Sequence, residues 1–140
     1  MPLAAVGDNL YNAVLLLHVV TALVALGPVT AHSLARGEQS ALTVGSIRRV
    51  YGPALLVSGV LGFGLAGLSD KAFKMSQTWL MIAFVVWVAL NGVLHGVVVP
   101  AARSAAEGQP MAQRRLDLGA AVVSLLMVVM LWTMIFKPGY

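Results

Sequence analysis

Cysteine is absent from this 140-residue chain. Disulfides, thiolate nucleophiles and cysteine-bound zinc or iron–sulfur clusters are therefore excluded. Charge is scarce: Asp, Glu, Lys and Arg make up 10% of the residues, against about 25% in a soluble domain. The five acidic residues, Asp8, Glu38, Asp70, Glu107 and Asp117, lie between apolar runs or at their boundaries. A proton-relay transporter carries carboxylates inside its spans, and this pattern argues against one. No Ser–His–Asp arrangement, glycine-rich phosphate loop or HExxH motif occurs, so the hydrolytic and nucleotide-dependent enzyme classes drop out. The opening MPLAAVGDNLYNAV has no Lys or Arg before its apolar run and carries Asp8. It reads as the lead into a retained span rather than a signal peptide.

What is abundant is apolar sequence, at 59% of the chain. Four runs, about 10–34, 50–68, 79–99 and 118–136, have the length that crosses a hydrocarbon core of roughly 30 Å. Lipid offers no partner to backbone amides, so each must be a helix. An even number of spans joined by short loops predicts one all-α domain over 1–140, an up-and-down four-helix bundle in a bilayer. Six arginines (Arg36, Arg48, Arg49, Arg103, Arg114, Arg115) flank one set of helix ends, and three lysines (Lys71, Lys74, Lys137) flank the other. The excess of positive charge places the arginine loops in the cytoplasm and both termini outside, in the cytoplasmic membrane. The net charge of +4 is thus an orientation signal, and nucleic acid is not an expected partner. Trp79, Trp132 and Tyr140 fall near the outer boundary, where amphipathic rings prefer to lie. The third loop, PAARSAAEGQPMAQRR, reads as the most flexible connection.

Within the second run, Ala54, Ser58, Gly62 and Ala66 recur every four residues as a small-residue stripe. Such a stripe lets backbones approach closely in a membrane. It suits packing against a neighbouring helix, a homodimer contact, or a joint in a larger membrane complex. It also leaves room for a flat ligand against the backbone.

Three histidines lie in or near spans, where a polar ring is a candidate functional group. His18 and His32 share one helix, separated by about 21 Å along its axis, with Gly27–Pro28 between them. His32 and His95 both approach the arginine margin and form a candidate ligand pair if their helices are neighbours. His18 is deeper. Counting residues from the boundaries brings Gly59 and Gly62, Trp87, and Met127 and Met130 to its level from the other three helices. Histidine with thioethers suits a haem iron or a copper ion, although a methionine stripe is also ordinary packing material. The candidate site is therefore His18, His95, His32, Met127 and Met130, with haem b or copper as cofactor and His18 as the copper alternative's metal ligand. The competing expectation is an accessory subunit with no cofactor and no catalytic residue.

The first run, LLHVVTALVALG with His18 and Gly27, resembles the opening span of a group of small bacterial membrane proteins. The group comprises copper-resistance D-like proteins, the protoporphyrinogen oxidase J family and an uncharacterised predicted integral membrane family related to them. The arginine-led, glycine-rich second run, from Arg48 and Arg49 through GFGL, is most similar to the last of these. The resemblance implies a haem- or copper-associated role with His18 as the residue that carries over. The thirteen residues between His18 and His32 also resemble the spacing that stacks two haems along one helix in b-type cytochromes. Two bis-histidine sites need four histidines, so a homodimer or a methionine partner would have to complete them.

Overall fold

The structure is a computed structural model, and it describes residues 7–35, 42–69 and 72–139. Arg36, Glu38, Asp70, Lys71 and Tyr140 lie outside the described residues. Among those described there is no strand, and four long helices account for nearly all of them: α1 (Asn9–Ala35), α2 (Val44–Leu68), α3 (Thr78–Ala106) and α4 (Ala112–Phe136). All four are long and apolar enough to cross a membrane. The chain is a multi-pass membrane protein built as an all-α four-helix bundle. Arg48, Arg49, Arg103, Arg114 and Arg115 mark one end of it, and Lys74 and Lys137 mark the other.

The helices run past the apolar runs at the arginine end. α2 starts at Val44 because Thr43 and Ser46 form a reciprocal cap, each side chain bonding the other residue's backbone N–H. α3 continues to Ala106, so most of the loop expected to be flexible is helical. Its PAARSAA stretch consists largely of good helix formers.

Proline explains the irregular turns. Pro53 and Pro100 lack an N–H and press on the preceding turn. In both cases the five residues before the proline pair, Ile47–Tyr51 and Leu94–Val98, widen into a π-turn. The Gly52 N–H then donates to the Ile47 carbonyl and the Val99 N–H to the Leu94 carbonyl. Pro28 is different, since α1 passes through it as an α-helix.

α1 packs most extensively on α2, while α4 packs on both α1 and α3; α2 and α3 approach each other sparingly. The main core, including Leu26, Val29, Ile47, Leu90, Leu94, Leu116 and Val123, occupies the arginine half. Large apolar side chains such as Leu16, Leu125 and Ile135 point outward, as a bilayer requires.

Candidate functional site

α2 is studded with glycines, and three of them receive a ring from another helix. A helical residue's side chain leans back over the preceding turn, so a glycine uncovers that turn and its carbonyls. Gly62 uncovers Ser58, and the His18 ring of α1 occupies the notch: a Cβ on Gly62 would lie 3.0 Å from His18 Cε1. His18 Nδ1 is 2.7 Å from the Ser58 carbonyl oxygen and donates to it. Gly59 uncovers Leu55 in the same way. The Trp87 indole of α3 fills that notch, donating Nε1–H to the Leu55 carbonyl at 3.0 Å, and a Cβ on Gly59 would overlap the ring. At Gly52, His95 Cε1 stands 2.7 Å from where a Cβ would sit. His95 belongs to the π-turn of α3, and Gly52 is the residue that closes the π-turn of α2.

The bond to the Ser58 carbonyl selects the His18 tautomer. A carbonyl can only accept, so the proton belongs on Nδ1 and neutral His18 carries its lone pair on Nε2. Nε2 has no hydrogen-bond partner among the described residues. Histidines that ligate metals share this arrangement, with one ring nitrogen donating to a carbonyl and the other presented as ligand. Ser58 braces the arrangement from its side chain, its hydroxyl donating to the His18 carbonyl at 3.3 Å.

His18 lines a cavity of about 420 Å³ in the lysine half, to which all four helices contribute. Its walls are almost wholly apolar. Leu26, Leu55, Leu90 and Met127 line its inner part, and Phe63, Phe84 and Trp87 lie on the α2–α3 side. The last three meet edge-on or tilted, with centroids 5.6 to 6.2 Å apart, and close that side. Between α1 and α4 the lining includes Leu15, Val19, Leu23 and Leu131. These are lipid-facing side chains, with Leu23 66% and Leu131 51% exposed. The cavity therefore borders lipid there. At the lysine end its rim is Tyr11, Phe73, Trp79 and Lys137. Trp79 is turned inward and buried, its Nε1 donating to Gln77 Oε1 at 3.0 Å; Trp132 alone of the two described boundary rings is half exposed.

Met127 and Met130 both line this cavity with His18. The Met127 sulfur lies 3.7 Å from the Thr30 hydroxyl, which donates to it. His32 and His95 have separate surroundings. His32 is buried, and its Nε2 lies 2.9 Å from Asp117 Oδ1 of α4, where Gln113 also donates at 2.8 Å. His95 is exposed and rests on Gly52. The described residues contain no group of three or more His, Asp or Glu placed to hold a metal ion.

The His32–Asp117 pair escaped the sequence reading, which left Asp117 at a boundary. The available signal was that Asp117 stands five residues into a helix whose start the Ala112–Gln113–Arg114–Arg115 run extends. The small-residue stripe is turned inward: Ser58 and Gly62 meet His18, Ala66 is buried, and Ala54 packs against the main core. No protein-family model, curated protein or solved structure matches the chain. The fold and the site define a class, a polytopic membrane bundle with a histidine-bearing cavity, and the chain's role is argued from that geometry.

Proposed function

We propose that this protein resides in the cytoplasmic membrane and that haem b would be held in the outer-half cavity by His18 through its Nε2. The observation that carries the reading is the Nδ1–H bond to the Ser58 carbonyl, which leaves Nε2 as a bare donor atom beside an apolar cavity. The residues suit the group: a pinned imidazole, glycine-thinned backbone on one wall, an indole on another, and thioethers of Met127 and Met130 in the lining. When bound, haem supplies one-electron redox chemistry. The chain's own part is to hold the imidazole in one tautomer, exclude water with Phe63, Phe84 and Trp87, and keep the ligand against α2.

Copper is the weaker reading. Without cysteine or a cluster of histidines and carboxylates, a copper site would rest on His18 and thioethers. The Met127 sulfur already accepts from Thr30. Binding by His95 or His32 is also less favoured, because His32 Nε2 is engaged by Asp117 and His95 lies outside the cavity lining.

The test is an optical spectrum of protein purified in mild detergent after expression with ample haem, oxidised and then reduced with dithionite. A Soret band that sharpens and shifts on reduction, and is lost in His18→Ala, is the expected result. A featureless spectrum would overturn the reading and leave the accessory-subunit alternative ahead, with a homodimer or larger complex as its setting.

A further inference from the structure

The cavity lining runs along α1 from Tyr11 to Leu26, about 22 Å at 1.5 Å per residue, and His18 stands near its middle. Deep in that lining the polar side chains are already engaged, save at one ring nitrogen. The Ser58 hydroxyl donates to the His18 carbonyl, and the Trp87 N–H donates to the Leu55 carbonyl. His18 Nδ1–H donates to the Ser58 carbonyl. What stays open among the described residues is the Nε2 lone pair, with the thioether sulfurs of Met130 and Met134 as weak acceptors. At this depth the lining offers acceptors and no donor.

The mouth at the lysine end is covered. Tyr11 and Trp79 are buried there, and Phe73 meets Trp79 edge-on with centroids 5.4 Å apart. Beyond α4, Lys137 adopts the left-handed region, φ 42° and ψ 61°, and folds back over these rings. Its Nζ stands 4.3 Å from the Phe73 centroid and 5.7 Å from that of Trp79. Gly139 lies against the start of α3, where an added Cβ would come 2.9 Å from Thr78 Cβ. The edge between α1 and α4 is different, since Leu15, Leu23 and Leu131 face lipid there. A ligand that reaches His18 by that edge comes from the bilayer.

We infer that the haem-free cavity takes a lipophilic, phenol-type ligand from the leaflet at the lysine end, its hydroxyl donating to His18 Nε2. A hydroxyl finds at His18 the acceptor it needs. A carbonyl or ether at the same depth finds no donor and gains no hydrogen bond. A phenol suits the walls better than a plain alcohol, because its ring can pack edge-on against Phe63, Phe84 or Trp87. Nε2 serves one partner at a time, so this ligand and haem exclude each other. The inference rests on the His18 tautomer and the cavity, and goes beyond the haem reading.

The test uses apo-protein in mild detergent at about pH 8.5, where an imidazole is neutral. The probes are a long-chain para-alkylphenol, its methyl ether and the para-alkyl acetophenone of the same chain. Affinity is read from tryptophan emission and from the rise in Tm that a ligand of the folded state produces. Wild type is expected to bind the phenol about fivefold more tightly than the ether or the ketone, the size of one hydrogen bond. In protein with isotopically labelled histidine, the nitrogen NMR resonance of His18 Nε2 should move with the phenol and stay in place with the ether. His18→Ala, which also identifies that resonance, should weaken the phenol to the level of the ether. Equal affinity of wild type for the probes, binding of none of them, or a resonance that the phenol leaves in place overturns the inference. The affinity comparison needs no variant to fold. The haem reading is decided separately by its Soret band, so the two fail independently.

Discussion

α1 and α4 meet in two different ways along their length. In the arginine half they are tied by three polar contacts: His32 to Asp117, Ser33 Oγ to Ser124 Oγ at 3.0 Å, and the Thr30 hydroxyl to the Met127 sulfur. In the lysine half no hydrogen bond joins them among the described residues, and the space between them belongs to the cavity and its lipid-facing edge. The arginine-half stretches carry Thr30, His32, Ser33, Asp117 and Ser124, whereas residues 128–136 of α4 are apolar except for Thr133. Inside a bilayer, burying one leucine against another gains little, because lipid tails are just as apolar. Polar pairs and close backbone approach therefore decide where helices shut. The half with the pairs became the core, and the half without them stayed open.

The variants with the largest expected effect break the open half. His18→Ala removes the one imidazole among the described residues that line the cavity, and the spectrum of bound haem should disappear with an affinity loss of a hundredfold or more. Gly59→Leu comes next. Its side chain has to enter the space of the Trp87 ring, so the indole must leave the Leu55 carbonyl and collapse into the cavity. Overpacking of this kind costs about 1–3 kcal/mol, to be read as a lower Tm together with lost ligand binding.

Breaking the closed half should leave the cavity alone. Asp117→Ala strands the buried His32 Nε2 without its acceptor, at a cost of about 1–3 kcal/mol. Thermal unfolding in detergent should register that loss while haemin affinity stays within twofold. A parallel loss of affinity would mean that the two halves are coupled, contrary to the comparison. Ser124→Ala is the gentlest change. It removes one interhelical hydroxyl contact, worth about 0.6 kcal/mol on the scale of polar pairs in membrane helices, and hydrogen exchange at the arginine end of α1 is the sensitive readout.

The candidate site was legible to the extent that it depends on depth along helices. Counting residues inward from each boundary brought His18, Gly59, Gly62 and Trp87 to one level, and in the structure both rings sit in the notches of those glycines. The same counting brought Met127 and Met130 close, and they do line the cavity, but it says nothing of where a flexible thioether points. It also could not pair His32. That ring faces α4, so its partner is Asp117 rather than His95, and which helix a face meets depends on rotation about the axis. The inward turn of Trp79 and the folding back of Lys137 are equally invisible to depth, since both depend on a short turn beyond a helix end.

By itself the sequence determined that there are four spanning helices, where the apolar stretch of each lies, and which ends share a side. Each of these follows from local composition, because hydrocarbon forces the backbone to bond within its own segment and arginine clusters mark helix ends. Only the tertiary structure decided which faces meet: that α2 offers two bare carbonyls to rings from α1 and α3, that α1 and α4 close at one end and part at the other, and that a lysine returns over the opening. Those outcomes depend on contacts tens of residues apart, among side chains whose apolar neighbours are interchangeable in a lipid solvent, and no local pattern specifies them.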